Sequence, residues 1–234
     1  ESFELVNCTV FSNRLNRSVG GGAYGFAAYN TKVTLDGCAF CGHPPQANSE
    51  ASVVRLEGAC GGSVIRNCRF AGNQLFHYTT GTYGLLAINS AAADDLYEVE
   101  NCTFAYNFVD RGSALRNLKG KVSVRNSIFH ANAGLSDKFS VVGADIVCDA
   151  NASAEVSYSM FDGEGTNYVS AVTEELLSVT NCVYGDPKFV TTTEMFAELA
   201  SVDLSKLPRA DNNYTHPSDA VACSYDLHET RKSP

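Results

Sequence analysis

Hydrophobic and polar residues alternate in short segments that share one pattern along most of the chain. The full pattern is apolar-x-apolar-x-Asn-Cys-x-aromatic, with some positions substituted in individual copies. Alternation with a period of two residues is typical of one face of a β-strand. Seven segments follow the pattern, at residues 3–10, 33–40, 63–70, 97–104, 122–129, 154–161 and 177–184.

The fifth position of the pattern predicts a bend between two short strands. It is asparagine in five of the seven copies and glycine, Gly37, in a sixth. Asparagine and glycine adopt positive φ at the lowest cost, so the chain is expected to turn there. The five asparagines are Asn7, Asn67, Asn101, Asn126 and Asn181.

A further strand is predicted in most repeats at residues 23–28, 53–56, 84–88, 113–118 and 144–148. Short strands that recur at intervals of 23 to 34 residues predict a solenoid with loops of variable length. We therefore predict an all-β, right-handed parallel β-helix over residues 1–190, with about seven coils and three short strands per coil. The alternative, an antiparallel β-sandwich, does not explain why the motif recurs in one phase.

Stacked coils place equivalent residues over one another, so the motif predicts two interior columns. One column holds cysteines, with Ser127 and Ser159 in the two remaining copies; buried free cysteine behaves as a small apolar residue. The neighbouring column is aromatic, with Val10 and Tyr184 at its ends. The members of this structural ladder are Cys8, Cys38, Cys68, Cys102, Cys182, Phe40, Phe70, Phe104, Phe129 and Phe161.

Four cysteines lie outside the column, namely Cys41, Cys60, Cys148 and Cys223. Cys41 and Cys60 flank one loop and form a candidate disulfide, whereas Cys148 is expected to face inward. The spacing Cys38-x-x-Cys41 occurs once, begins at a column position and has no second cysteine pair or His-x3-His pair to complete a zinc site. We therefore predict no metal and no cofactor.

Charge and hydropathy restrict the classes of partner. The formal charge of −9 and the pI near 5.0 argue against nucleic acid, which requires a basic face. No apolar run approaches the roughly 18 residues of a membrane span.

Residues 191–234 differ from the repeats in composition. They predict a short helix at 195–200 after a capping box, followed by an irregular strap along the solenoid.

Further short motifs carry a resemblance to known families. Residues 70–73, 104–107 and 129–132 match a Phe-x-x-Asn motif, residues 10–13 nearly match it, and residues 21–24 and 112–115 are similar to Gly-Gly-Ala-Ile. Over residues 3–190 this series resembles polymorphic outer-membrane proteins and secreted, surface-anchored right-handed β-helix proteins. The resemblance implies an extracellular or cell-surface protein used in adhesion or carbohydrate contact.

The first coil is expected to need a cover. Phe3 already occupies the first strand position, and stacked repeats normally require a cap. We therefore expect a preceding segment or a partner to cover this coil.

Candidate chemistry is sparse along the chain. If the protein is a polysaccharide lyase or hydrolase, the outward residues Arg55, Glu57, Arg116 and Asp145 are the candidates for catalysis. The two acids lie three coil steps apart, roughly 14 Å at about 4.8 Å per step, which is too far for a glycosidase pair. Tyrosines that could stack on sugars are Tyr78, Tyr83 and Tyr106.

Three functional hypotheses follow from the sequence. The first is a non-catalytic surface module for adhesion or for contact with a polysaccharide or surface protein, because binding sites favour variable loops. The second is a structural stalk or an assembly subunit of a larger surface complex. The third is a polysaccharide-active enzyme that works on the outer face of the solenoid.

Overall fold

The computed structural model describes residues 1–11, 23–43, 47–48, 51–77, 84–109, 113–135, 141–143, 145–163, 169–171 and 174–189. These residues form 23 β-strands and one 3-10 turn at Glu174–Leu176. Neighbouring strands run parallel in three sheets, with a single antiparallel pair among the described residues. The predicted all-β parallel solenoid is therefore confirmed. The predicted helix at 195–200 and the tail at 191–234 lie outside the described residues.

Strands on the two sides of the asparagine corner form the first two columns of the solenoid. The first column contains β1 (Ser2–Val6), β4 (Lys32–Asp36), β8 (Val64–Arg66), β12 (Leu96–Glu100), the end of β15 (Ser113–Arg125), the end of β19 (Ile146–Ser157) and β22 (Leu177–Thr180). The second contains β2 (Thr9–Phe11), β5 (Ala39–Cys41), β9 (Arg69–Ala71), β13 (Thr103–Ala105), β16 (Ile128–His130), β20 (Met160–Phe161) and β23 (Val183–Tyr184).

Two further columns of strands follow the second. A short third column, which the sequence pattern did not predict, contains β6 (Ala47–Asn48), β10 (Gln74–His77), β14 (Phe108–Val109), β17 (Ala133–Leu135) and the antiparallel β18 (Val141–Gly143). The fourth contains the predicted additional strands, namely β3 (Ala23–Tyr29), β7 (Ala51–Gly58), β11 (Gly84–Ser90), the starts of β15 and β19, and β21 (Val169–Ala171).

All seven copies of the motif contribute a strand to the second column, in chain order. Four consecutive coils, those that begin at β4, β8, β12 and the end of β15, have strands in every column. The other three copies extend the stack at its two ends.

The bend between the first and second columns has a left-handed backbone in every copy. The five corner asparagines have φ between 48° and 55°, Gly37 has φ 64°, and Tyr158 adopts φ 51°. A Cβ atom at Gly37 would lie 2.2 Å from Asn7 Oδ1, so this copy requires glycine for steric reasons as well. The corner residue therefore combines positive φ with close stacking, which explains why asparagine and glycine dominate it.

The aromatic column forms a continuous stack inside the solenoid. Successive rings from Phe40 to Phe161 lie 5.1, 4.5, 4.8 and 5.1 Å apart, with interplanar angles of 14° or less. All five rings are fully buried. Each contributes about 1.5–3 kcal/mol through its buried area, so this column accounts for a large share of the hydrophobic stabilisation.

The cysteine column lies beside the aromatic one and bonds to the coil before it. The thiols of Cys38, Cys68 and Cys102 donate to main-chain carbonyls of the preceding coil at 3.3–3.5 Å. Burial raises the pKa of the Cys38 and Cys102 thiols, so these groups are poor nucleophiles at neutral pH. The hydrogen bond with Cys102 lowers the pKa of Cys68. The buried thiols of the column serve as packing groups that also bond to the neighbouring coil.

Candidate functional site

A row of outward-facing side chains crosses five neighbouring strands at the end of the fourth column. Tyr29 of β3 pairs with Glu57 of β7, and Glu57 pairs with Asn89 of β11. Asn89 pairs with Lys119 of β15, and Lys119 pairs with Asn151 of β19. We call these five residues the polar row. At about 4.8 Å per strand, it is roughly 19 Å long.

The polar row offers an aromatic face, a carboxylate, two amides and an ammonium group to solvent. Tyr29 is 54% exposed, Asn151 is exposed, and the three residues between them are partly exposed. Glu57 Oε1 accepts a hydrogen bond from Asn89 Nδ2 at 3.0 Å, and the Lys119 ammonium donates to the Ala91 carbonyl. These bonds hold Glu57, Asn89 and Lys119, the three middle members of the row.

Two arginines lie beside the polar row, and each is bound by a carboxylate. Arg55 donates to Glu57 Oε2 from its Nε at 2.8 Å, and its terminal nitrogen lies 2.7 Å from the same oxygen. Arg116, two strands away on the same outward column, forms an ion pair with Asp149. Three predicted catalytic candidates, Arg55, Glu57 and Arg116, are thus engaged in ion pairs; Glu57 and Arg116 are partly exposed, whereas Arg55 is buried at 6% exposure.

Asp145 is buried and does not face outward, which corrects the sequence-based expectation. It ends a chain of hydrogen bonds, here called the amide ladder, that crosses the coils beside the third column. His43 Nδ1 lies 2.8 Å from Asn73 Oδ1, and Asn73 and Asn107 donate to the next asparagine at 2.9 and 2.8 Å. Asn132 Nδ2 donates to Asp145 Oδ1 at 3.0 Å.

Each asparagine of the ladder also satisfies the main chain. Its Nδ2 donates to a phenylalanine carbonyl of the preceding coil at 2.9–3.0 Å; the acceptors are Phe40, Phe70 and Phe104. A buried polar network is stable only when its members find partners, and here the bonds run from coil to coil. The ladder is therefore a structural element.

Burial raises the pKa of Asp145 to about 8, an effect that the nearby Asp162 charge reinforces and the Asn132 hydrogen bond opposes. Burial lowers the pKa of His43 at the other end, although its bond to Asn73 acts in the opposite direction. Both ends of the ladder are consequently held mainly in their neutral forms near pH 7. A neutral acid of this kind is a hydrogen-bonding group in the interior.

The structure does not bring Glu57 and Asp145 together as a catalytic pair. Glu57 lies on β7 and Asp145 directly precedes β19, and strands β11 and β15 separate them. Three strand steps amount to roughly 14 Å, beyond the separation of about 5–9.5 Å that glycosidase carboxylates show. Asp145 is also buried in the amide ladder, so these two residues do not support the enzyme hypothesis.

Tyr106 is buried, which corrects its prediction as a sugar-stacking residue. Its ring packs edge-on against His130 and Phe189, with centroid distances of 5.4 and 6.3 Å. Burial, together with the charges of Asp186 and Asp162, raises its pKa to about 12. Tyr78 and Tyr83 lie outside the described residues.

Near Tyr106, His130 and Asp162 form a hydrogen-bonded pair of the kind that catalytic sites contain. Here the contacts of the pair are with the main chain and with Phe189. His130 Nδ1 bonds to Asp162, whose second oxygen accepts the Ala131 N–H at 2.6 Å. Phe189 packs edge-on against His130, with ring centroids 5.6 Å apart. The pair therefore helps to hold residues 186–189 against the outer face of the second column.

The predicted disulfide between Cys41 and Cys60 is wrong, because Cys60 is a free, buried thiol. Cys41 is disulfide-bonded, and the seven other described cysteines are free, so its partner lies outside the described residues. Cys148 is buried, as predicted, and burial raises its pKa to about 12.

No cluster of three histidine, cysteine or acidic side chains that could hold a metal ion occurs within the described residues. No helix in this part of the chain has the length and apolar character needed to cross a membrane. Comparisons with family models, with curated proteins and with solved structures found no match.

Proposed function

We propose that the protein is a non-catalytic extracellular or cell-surface β-helix module that contacts a carbohydrate or a protein through the polar row. The observation that carries this proposal is the regular series Tyr29, Glu57, Asn89, Lys119 and Asn151 on the outer surface. Solenoids present extended surfaces of this kind, and a repeated row of donors and acceptors fits an extended partner such as a polysaccharide.

Two further observations support a location outside the cytosol. The Phe-x-x-Asn and Gly-Gly-Ala motifs resemble those of polymorphic outer-membrane proteins and secreted β-helix proteins. Cys41 is disulfide-bonded, and structural disulfides are typical of oxidising compartments. The proposal on location rests on the motifs and the disulfide together.

A second candidate function is a structural stalk or an assembly subunit of a surface complex. The observation that favours it is the exposure of apolar side chains in the first and last described coils, among them Phe3 and Val183. Exposed apolar groups on edge strands invite pairing with a further strand.

A panel of immobilised polysaccharides distinguishes these functions. Retention of the protein without new reducing ends or unsaturated products would support the binding module. Release of such products would support an enzyme and contradict the proposal. Absence of retention on every polysaccharide, together with absence of binding to surface proteins, would favour the structural function.

A further inference from the structure

The outer face of the second column carries a row of side chains that is buried along its length. Cys41 of β5 pairs with Ala71 of β9. Ala71 in turn pairs with Ala105 of β13, and Ala105 pairs with His130 of β16. Each of these four residues, here called the outer row, directly follows a phenylalanine of the aromatic column, so strand alternation turns it to the outside. The first three are 0% exposed and His130 is 9% exposed.

Small outward side chains on a sheet become buried when another segment of chain lies over them. The apolar cluster on this face contains Tyr106 and Phe189 in addition to members of the outer row. Among the described residues of this cluster, Phe189 alone comes from outside the second column and the bends that follow its strands. Phe189 packs edge-on against His130 and Tyr106, at one end of the row. The burial of Cys41, at the opposite end, points to a further segment.

The cysteines of the chain indicate which segment this is. The chain contains nine cysteines, of which seven are free thiols, and Cys41 is disulfide-bonded. Cys223 is the one that remains, so a disulfide within a single chain joins Cys41 to Cys223. The Cα atoms of bonded cysteines lie about 4.4–6.8 Å apart, and this distance brings the partner to the Cys41 end of the outer row.

We propose that the outer row is the docking surface for a later segment of the same chain, residues 190–223, which the Cys41–Cys223 disulfide fastens in place. The segment follows Phe189, which lies at the His130 end of the row, and its last residue is bonded at the Cys41 end. Three strand steps make the row roughly 14 Å long at about 4.8 Å per step. An extended chain advances about 3.3 Å per residue, so the segment has ample length to cross the row.

The composition of the segment suits this surface. A row of alanines offers a flat apolar floor, and burial of apolar side chains against it is favourable. The segment contains six large apolar residues that can supply this contact, namely Met195, Phe196, Leu199, Leu204, Leu207 and Val221. The inference goes beyond the proposed binding function and does not depend on the polar row, which lies on the fourth column. It closes the outer face of the second column to other partners.

Peptide mapping tests the covalent part of the proposal. Free thiols are alkylated in denaturant, and the protein is digested with trypsin without reductant. The tryptic peptide with Cys41 spans residues 33–55, and the peptide with Cys223 spans residues 210–231. We expect one linked species, with Cys38 alkylated, that separates into these two peptides on reduction. Alkylation of both Cys41 and Cys223, a link from either to another cysteine, or a link found only in a covalent dimer would overturn the proposal.

Limited proteolysis of the native protein tests the docking itself. Trypsin can cut the segment after Lys206 and Arg209. We expect Cys223→Ser to be cut there about 10-fold faster or more, because the disulfide restricts opening of the segment. The matched control is Cys182→Ser, since serine occupies the same column position at Ser127 and Ser159, and it should be cut at the parent rate.

A phosphine reductant should raise the cleavage rate of the parent to that of Cys223→Ser and leave the rate of this variant unchanged. Circular dichroism checks that both variants are folded. Equal cleavage rates for the parent and Cys223→Ser would overturn the docking of the segment on the outer row, even if the disulfide were found by mapping.

Discussion

The amide ladder predicts an unusual dependence of stability on pH, which the substitution Asp145→Asn should remove. The side-chain amide that this substitution introduces would still accept the hydrogen bond from Asn132 Nδ2 through its oxygen, so the ladder would keep its geometry. The substitution removes the ionisable group and changes the side-chain volume very little. Any change in the pH profile therefore reports the titration of Asp145.

The magnitude follows from the pKa of about 8 that burial gives Asp145, against its ordinary value of 3.8. Between these values the unfolded chain has released the proton while the folded chain still binds it. The free energy of unfolding therefore decreases as pH rises through this window and levels off above about pH 8. The slope is about 1.4 kcal/mol per pH unit, or about 3 kcal/mol between pH 5 and pH 7.

Guanidinium denaturation at pH 4, 5, 6 and 7 gives the free energy of unfolding of both proteins. We expect the parent and Asp145→Asn to have similar free energies of unfolding at pH 4. Between pH 5 and pH 7, the free energy of unfolding of the variant should rise relative to that of the parent by about 3 kcal/mol. Asp94→Asn, at an exposed acid, is the matched control and should follow the parent profile. Parallel profiles for parent and Asp145→Asn, or a variant that is less stable at pH 7, would refute the reasoning.

Other changes test the interior and the corner of the coil. Phe104→Ala should lower the free energy of unfolding by about 3–5 kcal/mol, and a loss below about 1 kcal/mol would contradict an interior aromatic stack. Gly37→Ala should destabilise by at least about 1 kcal/mol in the same melt, because its Cβ would lie 2.2 Å from Asn7 Oδ1, and an unchanged midpoint would contradict this. Tyr158→Asn should stabilise the fold by up to about 1 kcal/mol, since asparagine suits φ 51° better than tyrosine; a lower midpoint would argue against this. Thiol titration in denaturant without reductant should find seven free thiols, because Cys41 is disulfide-bonded, and nine would exclude that bond.

The repeated pattern predicted the parts of the fold that depend on local residue preferences. Asparagine at the corner signals positive φ in each copy separately, and alternation signals which side chains face inward. Once the copies are aligned, stacking of equivalent residues such as Phe70 and Phe104 follows directly from the parallel pairing. The repeats therefore show which residues of different coils are in contact, which a single sequence without repeats does not show.

The amide ladder was missed although a signal was present. Asparagine follows the aromatic residue by three positions in several copies, and His43 occupies the same place in another. This Phe-x-x-Asn motif supported the resemblance to β-helix families. Whether its asparagines face inward depends on the short third column of strands, whose residues show little periodicity. Asp145 joins the ladder from the residue just before β19, after the antiparallel pair β17–β18, so the repeat could not reveal its position.

The repeat pattern also could not predict the burial of Tyr106. Its burial depends in part on residues 186–189, which follow the last copy of the motif and pack against the outer face of the second column. Tyr29, by contrast, is the last residue of β3 and could have been selected from its strand position. Segments that fold back on a solenoid are the main source of error when exposure is inferred from coil position alone.

The claim that the polar row is a binding surface is tested most directly by comparing the Tyr29→Ser variant with the Tyr158→Asn variant. Both substitutions remove an exposed tyrosine, but only the first changes the row. The measurement is the affinity for the polysaccharides and surface proteins that retain the parent protein. We predict a loss of about 5-fold or more for Tyr29→Ser and no loss for Tyr158→Asn. Equal affinities for the parent and both variants would contradict the assignment of the polar row.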